Sequence, residues 1–520
     1  MKHTIQITNS TYSFPQFILR HKNNYKLLLI IIIASYIQYI LFKLFYPFPD
    51  FSLDSYNYIY AASANLDISI WPIGYSKFLR LLHFISHSDA LVTGLQYALM
   101  QLAATYFFFT IDYFFTLKRT KRIILYIFLF FNPLSLYLSN YISSDALFAA
   151  LSMFWFTHLV WIIQRTKLSQ IFTQSVLLFL AFTVSNNAYY YPLLTALAFI
   201  LSTRNALIKF AGAVAPLLLL IPFILFTRAA AKQMTGTAQY SLSTGWLIAN
   251  NALYMYGHVP NDSTWFTSRE TRELNQVCIK YFQPMGDEFY KYIQKYPANF
   301  FIEQPDSPLK QYYEARYNVS TIRKNTVSWG RVSPIFESFG EALLKKQPIA
   351  YARYFILPNA KNYFLPPLEK MALYNLGEDH VFAVAAHWFD YKALKIKVIS
   401  KDIQGYVLLL NPVIFILSNA YFLYGLIIYA VRKRHHRKNT ILTRHLVFIT
   451  GFWLLNFFFS IFSTIIIFRY HAFPSIVIFS FGLLLYCHLN NKNPEKVNSS
   501  SELLEKESPA TSEFLSFQNN

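Results

Sequence analysis

Charged side chains are scarce in this sequence. Only 14% of its 520 residues are Asp, Glu, Lys or Arg, whereas 54% are apolar and 19% are aromatic. Soluble domains usually contain about 25% charged residues. The composition therefore argues against an ordinary soluble protein and predicts a chain that folds in a lipid bilayer.

Cysteines and common catalytic motifs are also scarce. Cys278 and Cys487 lie far apart, which excludes a disulfide framework and a cysteine-based metal site. No P-loop, HExxH, GxSxG or zinc-ligand spacing occurs, so nucleotide hydrolysis and metalloprotease activity have no support, and we expect neither a metal nor a cofactor. The net charge of +20 falls in short clusters beside apolar runs, which indicates membrane orientation and not nucleic-acid binding.

Apolar stretches recur along the chain, and a helix of about 20 residues crosses a hydrocarbon core of about 30 Å. We therefore predict an all-α polytopic membrane protein of about ten transmembrane helices. The fifth and sixth are short and meet at Asn186–Pro192, so we expect a bent hairpin that does not fully cross. The predicted spans are Leu27–Tyr46, Ala90–Leu117, Ile123–Asn140, Ala146–Ile163, Ile171–Ser185, Tyr191–Leu201, Leu207–Thr227, Gly405–Ala430, Leu446–Ser463 and Tyr470–Leu489.

The short loops predict the orientation, because Lys and Arg hold a loop on the cytoplasmic side. Basic residues occupy alternate loops and the segment before the first span, so both termini are predicted to be cytoplasmic, in a bacterial plasma membrane. The loop Pro47–Trp71 contains no Lys or Arg and is predicted to lie outside. The basic segments are Lys118–Arg122, Arg165–Lys167, Arg204 with Lys209, and Arg432–Lys438, together with Arg20, Lys22 and Lys26.

The same pattern predicts the domains. Residues 1–26 form a cytoplasmic segment without a removable signal peptide, and residues 27–227 form a transmembrane module with a first outer loop at 47–89. Residues 228–404 form a small α-rich extracytoplasmic domain, 405–489 form C-terminal transmembrane helices, and 490–520 form a disordered tail. The Arg432–Lys438 cluster is interpreted as a topological anchor in preference to a site for anionic lipids.

Three segments carry candidate chemistry. Phe51–Ala62 places a carboxylate just outside the first span, and Trp71–Leu79 follows it with a Pro-x-Gly-Tyr turn. Asn132–Ser135 and Ser143–Phe148 supply a Pro and then a Ser-Asp-x-Leu-Phe pattern, and Phe468–Pro474 opens the last span with Arg-Tyr. In these segments the sequence resembles the polytopic glycosyltransferases of the GT-C superfamily, which include protein mannosyltransferases and lipid A aminoarabinose transferases.

The resemblance implies transfer of a sugar from a polyprenyl-phosphate carrier to a lipid, glycan or protein acceptor at the extracytoplasmic face. Asp54 is the expected general base. Many members have two adjacent acids in this loop, whereas this sequence has Asp54-Ser55, which favours a single base over a metal-binding pair. Arg469 is expected at the leaving phosphate, because a guanidinium binds phosphate oxygens bidentately.

The remaining candidates for donor or acceptor binding are Asp145, Tyr58, Tyr470 and His471. Each main candidate has a structural alternative. For Asp54 the alternative is the N-cap of a helix over Tyr56–Ala64, and for Asp145 it is likewise a helix cap. For Arg469 it is extension to the membrane interface, and for His471 it is a place in the lining of the bundle. Asp50 is interpreted chiefly as the end of the first span.

Two other functional classes remain open. A transporter or flippase would place charges at mid-bilayer and show related halves, whereas most acids here fall at span ends and no repeat of halves occurs. A polysaccharide polymerase or ligase of the O-antigen kind would use basic residues in the large loop and not an acid in the first loop.

Overall fold

The computed structural model describes residues 13–115, 117–294, 299–317, 321–432, 440–463 and 465–489. Within these ranges the chain is helical and contains no β-strand, only two isolated bridges that join Asp50 to Tyr141 and His380 to Lys395. The predicted all-α class is thereby confirmed. Most of the Arg432–Lys438 cluster and the tail from 490 lie outside the described residues.

The helices vary from single turns to spans of more than 20 residues. Short three-ten turns connect several of them, and one π-helical turn interrupts the region after residue 348. In chain order the α-helices are Phe14–Leu19, Lys22–Phe45, Leu53–Ser63, Gly74–His83, Asp89–Phe115, Arg119–Phe130, Leu134–Asn140, Ser144–Arg165, Leu168–Val184, Tyr191–Leu201, Ala206–Val214, Leu217–Thr235, Thr244–Tyr256, Arg269–Phe282, Asp287–Ile293, Phe300–Glu303, Pro308–Arg316, Ile322–Lys346, Pro348–Tyr351, Leu357–Phe364, Ala383–Trp388, Ile403–Leu408, Leu410–Arg432, Thr440–Ser463 and Ala472–Leu489. The other turns are Asn186–Ala188, Ser263–Trp265, Ala352–Ile356 (π), Glu369–Ala372, Tyr374–Gly377 and Phe468–His471.

Eight helical segments within the described ranges are long and apolar enough to cross a bilayer, so the chain is an integral membrane protein. The fifth and sixth predicted spans correspond to the shorter helices Leu168–Val184 and Tyr191–Leu201. At the break between these two helices a backbone group finds a local hydrogen-bond partner, since the Asn187 backbone N–H donates to Ser185 Oγ at 3.3 Å. The eight segments are Lys22–Phe45, Asp89–Phe115, Arg119–Asn140, Ser144–Arg165, Ala206–Thr235, Ile403–Val431, Ile441–Ser463 and Phe468–Leu489.

Two apolar cores organise the molecule. The first, which we call the membrane core, joins the long apolar helices to the first loop and to residues 363–408. The second, which we call the loop core, is built from residues 231–355 together with Ile68 and Ile70 of the first loop. The Trp246 and Trp329 rings stack 3.7 Å apart at its centre. The residues of the large loop after 363 thus belong to the membrane core.

Two helices of the loop core, Thr244–Tyr256 and Ile322–Lys346, approach each other closely enough to exclude side chains. A Cβ added at Gly245 would lie 1.7 Å from the Ser333 carbonyl oxygen. At Gly340 an added Cβ would lie 2.8 Å from a backbone nitrogen of the facing helix. The two helices therefore need glycine at both positions.

We expect Gly245→Ala to lower the free energy of unfolding by about 1–3 kcal/mol, because the methyl group must push two packed backbones apart. Thermal unfolding of the purified protein in detergent should show a lower Tm. Gly482→Ala is the matched control, since its Cβ would meet its nearest neighbour, Tyr421, at an ordinary 3.7 Å. An unchanged Tm for Gly245→Ala would contradict this close packing.

The basic segments predicted to be cytoplasmic contact one another at one end of the bundle. Arg122 Nη2 donates to Asn24 Oδ1 at 2.6 Å, which joins the basic segment around residues 118–122 to the first turn of the helix Lys22–Phe45. Arg204 Nε donates to the Thr166 carbonyl oxygen at 3.1 Å, which joins two further basic loops. The grouping fits the predicted orientation, in which these loops share one side of the membrane.

Cysteine labelling of intact cells should report the orientation directly. Both native cysteines are buried, so background labelling is low. We expect a membrane-impermeant maleimide to label Glu288→Cys, whose native side chain is 90% exposed, in intact cells. Arg119→Cys, which is exposed at the basic end, should react only after permeabilisation. The reverse pattern would invert the predicted topology.

Candidate functional site

The first loop positions Asp54 in the first turn of the helix Leu53–Ser63. The helix begins after Ser52, whose backbone is extended and whose amide donates to Ser55 Oγ at 2.9 Å. The alternative reading of Asp54 as the N-cap of a helix over Tyr56–Ala64 is therefore wrong. Its buried carboxylate is available for other contacts.

Asp50 fixes this loop in place. Its amide donates to the Asn140 carbonyl at 2.9 Å, and its own carbonyl accepts from the Ile142 amide at 3.0 Å. Its carboxylate accepts from the Asn375 amide at 2.8 Å and from Gln404 Nε2 at 3.0 Å, and burial raises the pKa of Asp50 to about 7. Asp50 thus ties three distant segments together, a structural role beyond ending the first span.

Asp145 lies in the first turn of the helix Ser144–Arg165. The N-cap is Ser143, whose hydroxyl oxygen accepts from the Asp145 amide at 3.3 Å. The same hydroxyl donates to Asp145 Oδ2 at 2.5 Å. Asp145 is therefore not the cap. Its buried carboxylate is oriented by the cap residue, Ser143.

Arg469 lies in the three-ten turn Phe468–His471 at the start of the last span, where the Phe468 amide donates to the Pro367 carbonyl at 2.8 Å. Arg469 Nη2 is 3.2 Å from Asp54 Oδ2, and Nη1 is 3.4 Å from Asp145 Oδ2. Its side chain is only 5% exposed, so the alternative of extension to the membrane interface is wrong. The structure brings together the three segments singled out in the sequence.

The large loop adds a second cation that sequence analysis missed. Lys370 Nζ lies 3.3 Å from Asp54 Oδ2, 3.0 Å from Glu303 Oε1 and 3.7 Å from Glu369 Oε1. Glu369 Oε2 is 3.9 Å from Arg469 Nε. These six residues, which we call the charged cluster, are Asp54, Asp145, Glu303, Glu369, Lys370 and Arg469.

The sequence gives only a weak signal for the new members. Glu369 and Lys370 follow Pro366-Pro367, which stops the preceding helix. Glu369 adopts a positive φ of 52°, an uncommon and costly conformation for a residue other than glycine. Backbone strain of this kind tends to occur where the surrounding structure fixes a side chain for function.

The electrostatics of the cluster are uneven. Burial raises the pKa of Asp54, but Lys370 and Arg469 more than offset it, so the pKa lies below its usual range. The Glu303 side chain is only partly buried, at 41% exposed. This partial burial still raises the pKa of Glu303, the nearby Glu369 carboxylate adds to the effect, and Lys370 does not fully offset it. Asp54 is therefore ionised at physiological pH, while Glu303 is the more readily protonated carboxyl.

Two predicted binding residues lie beside the cluster. The Tyr58 hydroxyl donates to Ser144 Oγ at 3.1 Å, next to Asp145. The Tyr470 ring centroid is 5.1 Å from Arg469 Cζ, a cation–π distance. Tyr470 thus contacts the guanidinium directly, whereas Tyr58 contacts the residue next to Asp145. The predicted contact of both with substrate stays a prediction.

His471 faces the aromatic interior. Its ring contacts Tyr363 at 5.0 Å and Phe415 at 5.3 Å between centroids. Among the described residues, neither of its nitrogens has a hydrogen-bond partner. This environment resembles the lining of a helix bundle, and binding by His471 stays a prediction.

The arrangement combines an ionised carboxylate with two cations. Among the described residues, every hydrogen bond and ion pair of Asp54 uses Oδ2, which leaves Oδ1 available to accept a proton. Guanidinium and ammonium groups bind phosphate oxygens. In the part of the chain that the structure describes, no three His, Cys, Asp or Glu side chains are arranged to hold a metal ion.

Comparison with known proteins gives no relative from which a role can be carried over. The chain matches no family model, no curated protein and no solved structure. A function must therefore be argued from the charged cluster and the membrane-spanning fold.

Proposed function

We propose that this protein is a membrane glycosyltransferase that moves a sugar from a polyprenyl-phosphate carrier to a lipid, glycan or protein acceptor at the extracytoplasmic face. One observation carries the proposal: the Arg469 guanidinium bridges Asp54 and Asp145 at 3.2 and 3.4 Å. The three segments that resemble GT-C enzymes thus meet at one buried point. Lys370 adds a second cation there.

The donor phosphate binds at Arg469 and Lys370. Cations near the leaving group stabilise the charge that develops on the phosphate as the bond to the sugar breaks. Both cations lie where the membrane core meets the large loop, at the start of the last span and just after Pro366-Pro367. A lipid-linked donor can reach this level while its polyprenyl chain stays in the bilayer.

Asp54 takes the proton of the acceptor hydroxyl through its available Oδ1. The two cations lower the pKa of Asp54 in the donor-free protein. A base with a low pKa has little driving force for proton transfer. A phosphate on Arg469 and Lys370 offsets their positive charge, so donor binding raises the basicity of Asp54 when the base is needed.

The location of the charges favours transfer over transport. Transporters place ionisable groups at mid-bilayer between broken helices, whereas the charged cluster lies at helix ends. A polymerase or ligase of the O-antigen kind is a second candidate, because Lys370 is a basic residue of the large loop. That class uses a lipid-linked diphosphate glycan as its donor.

Mass spectrometry of lipids that copurify with the protein tests the proposal. A polyprenyl monophosphate sugar supports the proposed class and identifies the donor, whereas a polyprenyl diphosphate glycan favours the second candidate. The Arg469→Ala protein, purified in parallel, should lose the lipid. Ordinary phospholipids alone, in equal amounts in both preparations, would contradict the proposal.

A further inference from the structure

The charged cluster holds more negative than positive charge. Four carboxylates surround two cations, and five of the six side chains are at most 15% exposed. A donor phosphate would add another negative charge to this poorly solvated place. Buried charge without a partner is costly, so a carboxylate must move away or become protonated when an anion binds.

Lys370 has no capacity left for a phosphate in the donor-free protein. An ammonium group has three N–H donors, and three carboxylates lie within 4 Å of Nζ. Glu303 is the nearest of them, at 3.0 Å. A phosphate can bind Lys370 only where one of these carboxylates withdraws.

Glu303 is the carboxylate that can withdraw at the lowest cost. Its side chain is 41% exposed, whereas Asp54 and Glu369 are 12% and 10% exposed. Lys370 is its only ion-pair partner among the described residues, while Asp54 also binds Arg469. Glu303 ends a helix of only four residues, so its side chain can turn to water without disturbing a long element.

We propose that Glu303 occupies the place beside Lys370 that a phosphate takes, and that an anionic lipid binds only as Glu303 leaves Lys370. The inference rests on the proposed function and extends it to regulation of the same site. Glu303 acts as an internal competitor that neutralises Lys370 in the empty site. It returns to Lys370 as the polyprenyl phosphate product departs, which speeds release of that product.

The test measures binding of a long-chain polyprenyl phosphate to the purified protein in detergent micelles, with the uncharged polyprenol as reference. Glu303→Gln should lower the Kd for the phosphate about threefold to tenfold, because it removes a competing charge next to the cation. Lys370→Gln should raise it about tenfold. Asp306→Asn is the matched control, since it removes an exposed acid three residues away and should leave the Kd unchanged.

The outcomes separate this inference from the proposed function. Equal or weaker phosphate binding by Glu303→Gln, while the wild type binds the phosphate better than the polyprenol, overturns the inference alone. Equal binding of phosphate and polyprenol by the wild type overturns the proposed function as well. Glu303→Asp replaces the Gln variant if that variant folds poorly. It keeps the charge but moves it away from Lys370 by one methylene, so it should lower the Kd by less than Glu303→Gln.

Discussion

Asp54→Asn should slow sugar transfer about 10²–10⁴-fold, the usual cost of losing a positioned general base. The amide keeps the size of the side chain and still accepts hydrogen bonds from Arg469 and Lys370, so folding and insertion should survive. Donor binding should be retained, because the cluster loses one of its excess negative charges. The defect is therefore expected in turnover and not in affinity.

Turnover can be followed in isolated membranes, which hold both the lipid donor and the acceptor, as release of polyprenyl phosphate when the sugar passes to the acceptor hydroxyl. Asp67→Asn is the matched control, since Asp67 is an exposed acid of the same loop with a side chain 59% exposed. It should react like wild type. Near-normal turnover by Asp54→Asn would show that Asp54 is not the general base and would make Asp145 or Glu303 the candidate for that role.

Arg469→Ala should reduce donor affinity about 10²-fold, because hydrogen bonds to a charged group contribute about 1.5–3 kcal/mol each. Arg469→Lys keeps the charge but has no planar fork, so it cannot bridge Asp54 and Asp145 as the guanidinium does. Its affinity should fall between those of wild type and Arg469→Ala. Binding of the same polyprenyl phosphate measures all three.

Loss of Arg469 also leaves two carboxylates buried with less compensation, which costs about 3–5 kcal/mol of stability. The double variant Arg469→Ala, Asp145→Asn separates the two effects. It should regain much of the Tm lost by Arg469→Ala but none of the donor affinity. Wild-type transfer by both the Ala and the Lys variants would reduce Arg469 to a structural ion-pair residue.

The membrane-spanning segments were predictable because a span depends mainly on the length and composition of one stretch of chain. The exceptions are the predicted spans Ile171–Ser185 and Tyr191–Leu201, which are short in the sequence and whose helices, Leu168–Val184 and Tyr191–Leu201, are short in the structure. The residues at which helices begin were harder to predict from the sequence. Ser52 and Asp54 are both residue types that cap helices, and only the backbone shows that Ser52 does so.

The residues that meet in the charged cluster were predictable in part. Asp54, Asp145 and Arg469 occur in recognisable local patterns, whereas Glu303 and Lys370 lie in a long loop without one. Asp54 and Lys370 are separated by 316 positions and meet only through tertiary packing. No local periodicity encodes such a contact, so the second cation and its glutamates emerge only from the folded chain.

The separation of the partners in sequence has a consequence for biosynthesis. Asp54 and Asp145 are synthesised hundreds of residues before Arg469, whose hydrogen bond to Asp54 spans 415 positions. Until the last span is made, both acids lack their guanidinium partner, and the Phe468 amide that contacts the Pro367 carbonyl does not yet exist. Entry of that span both closes the bundle and neutralises part of its buried charge. A chain that ends before residue 468 therefore keeps Asp54 and Asp145 without the guanidinium that compensates their charge.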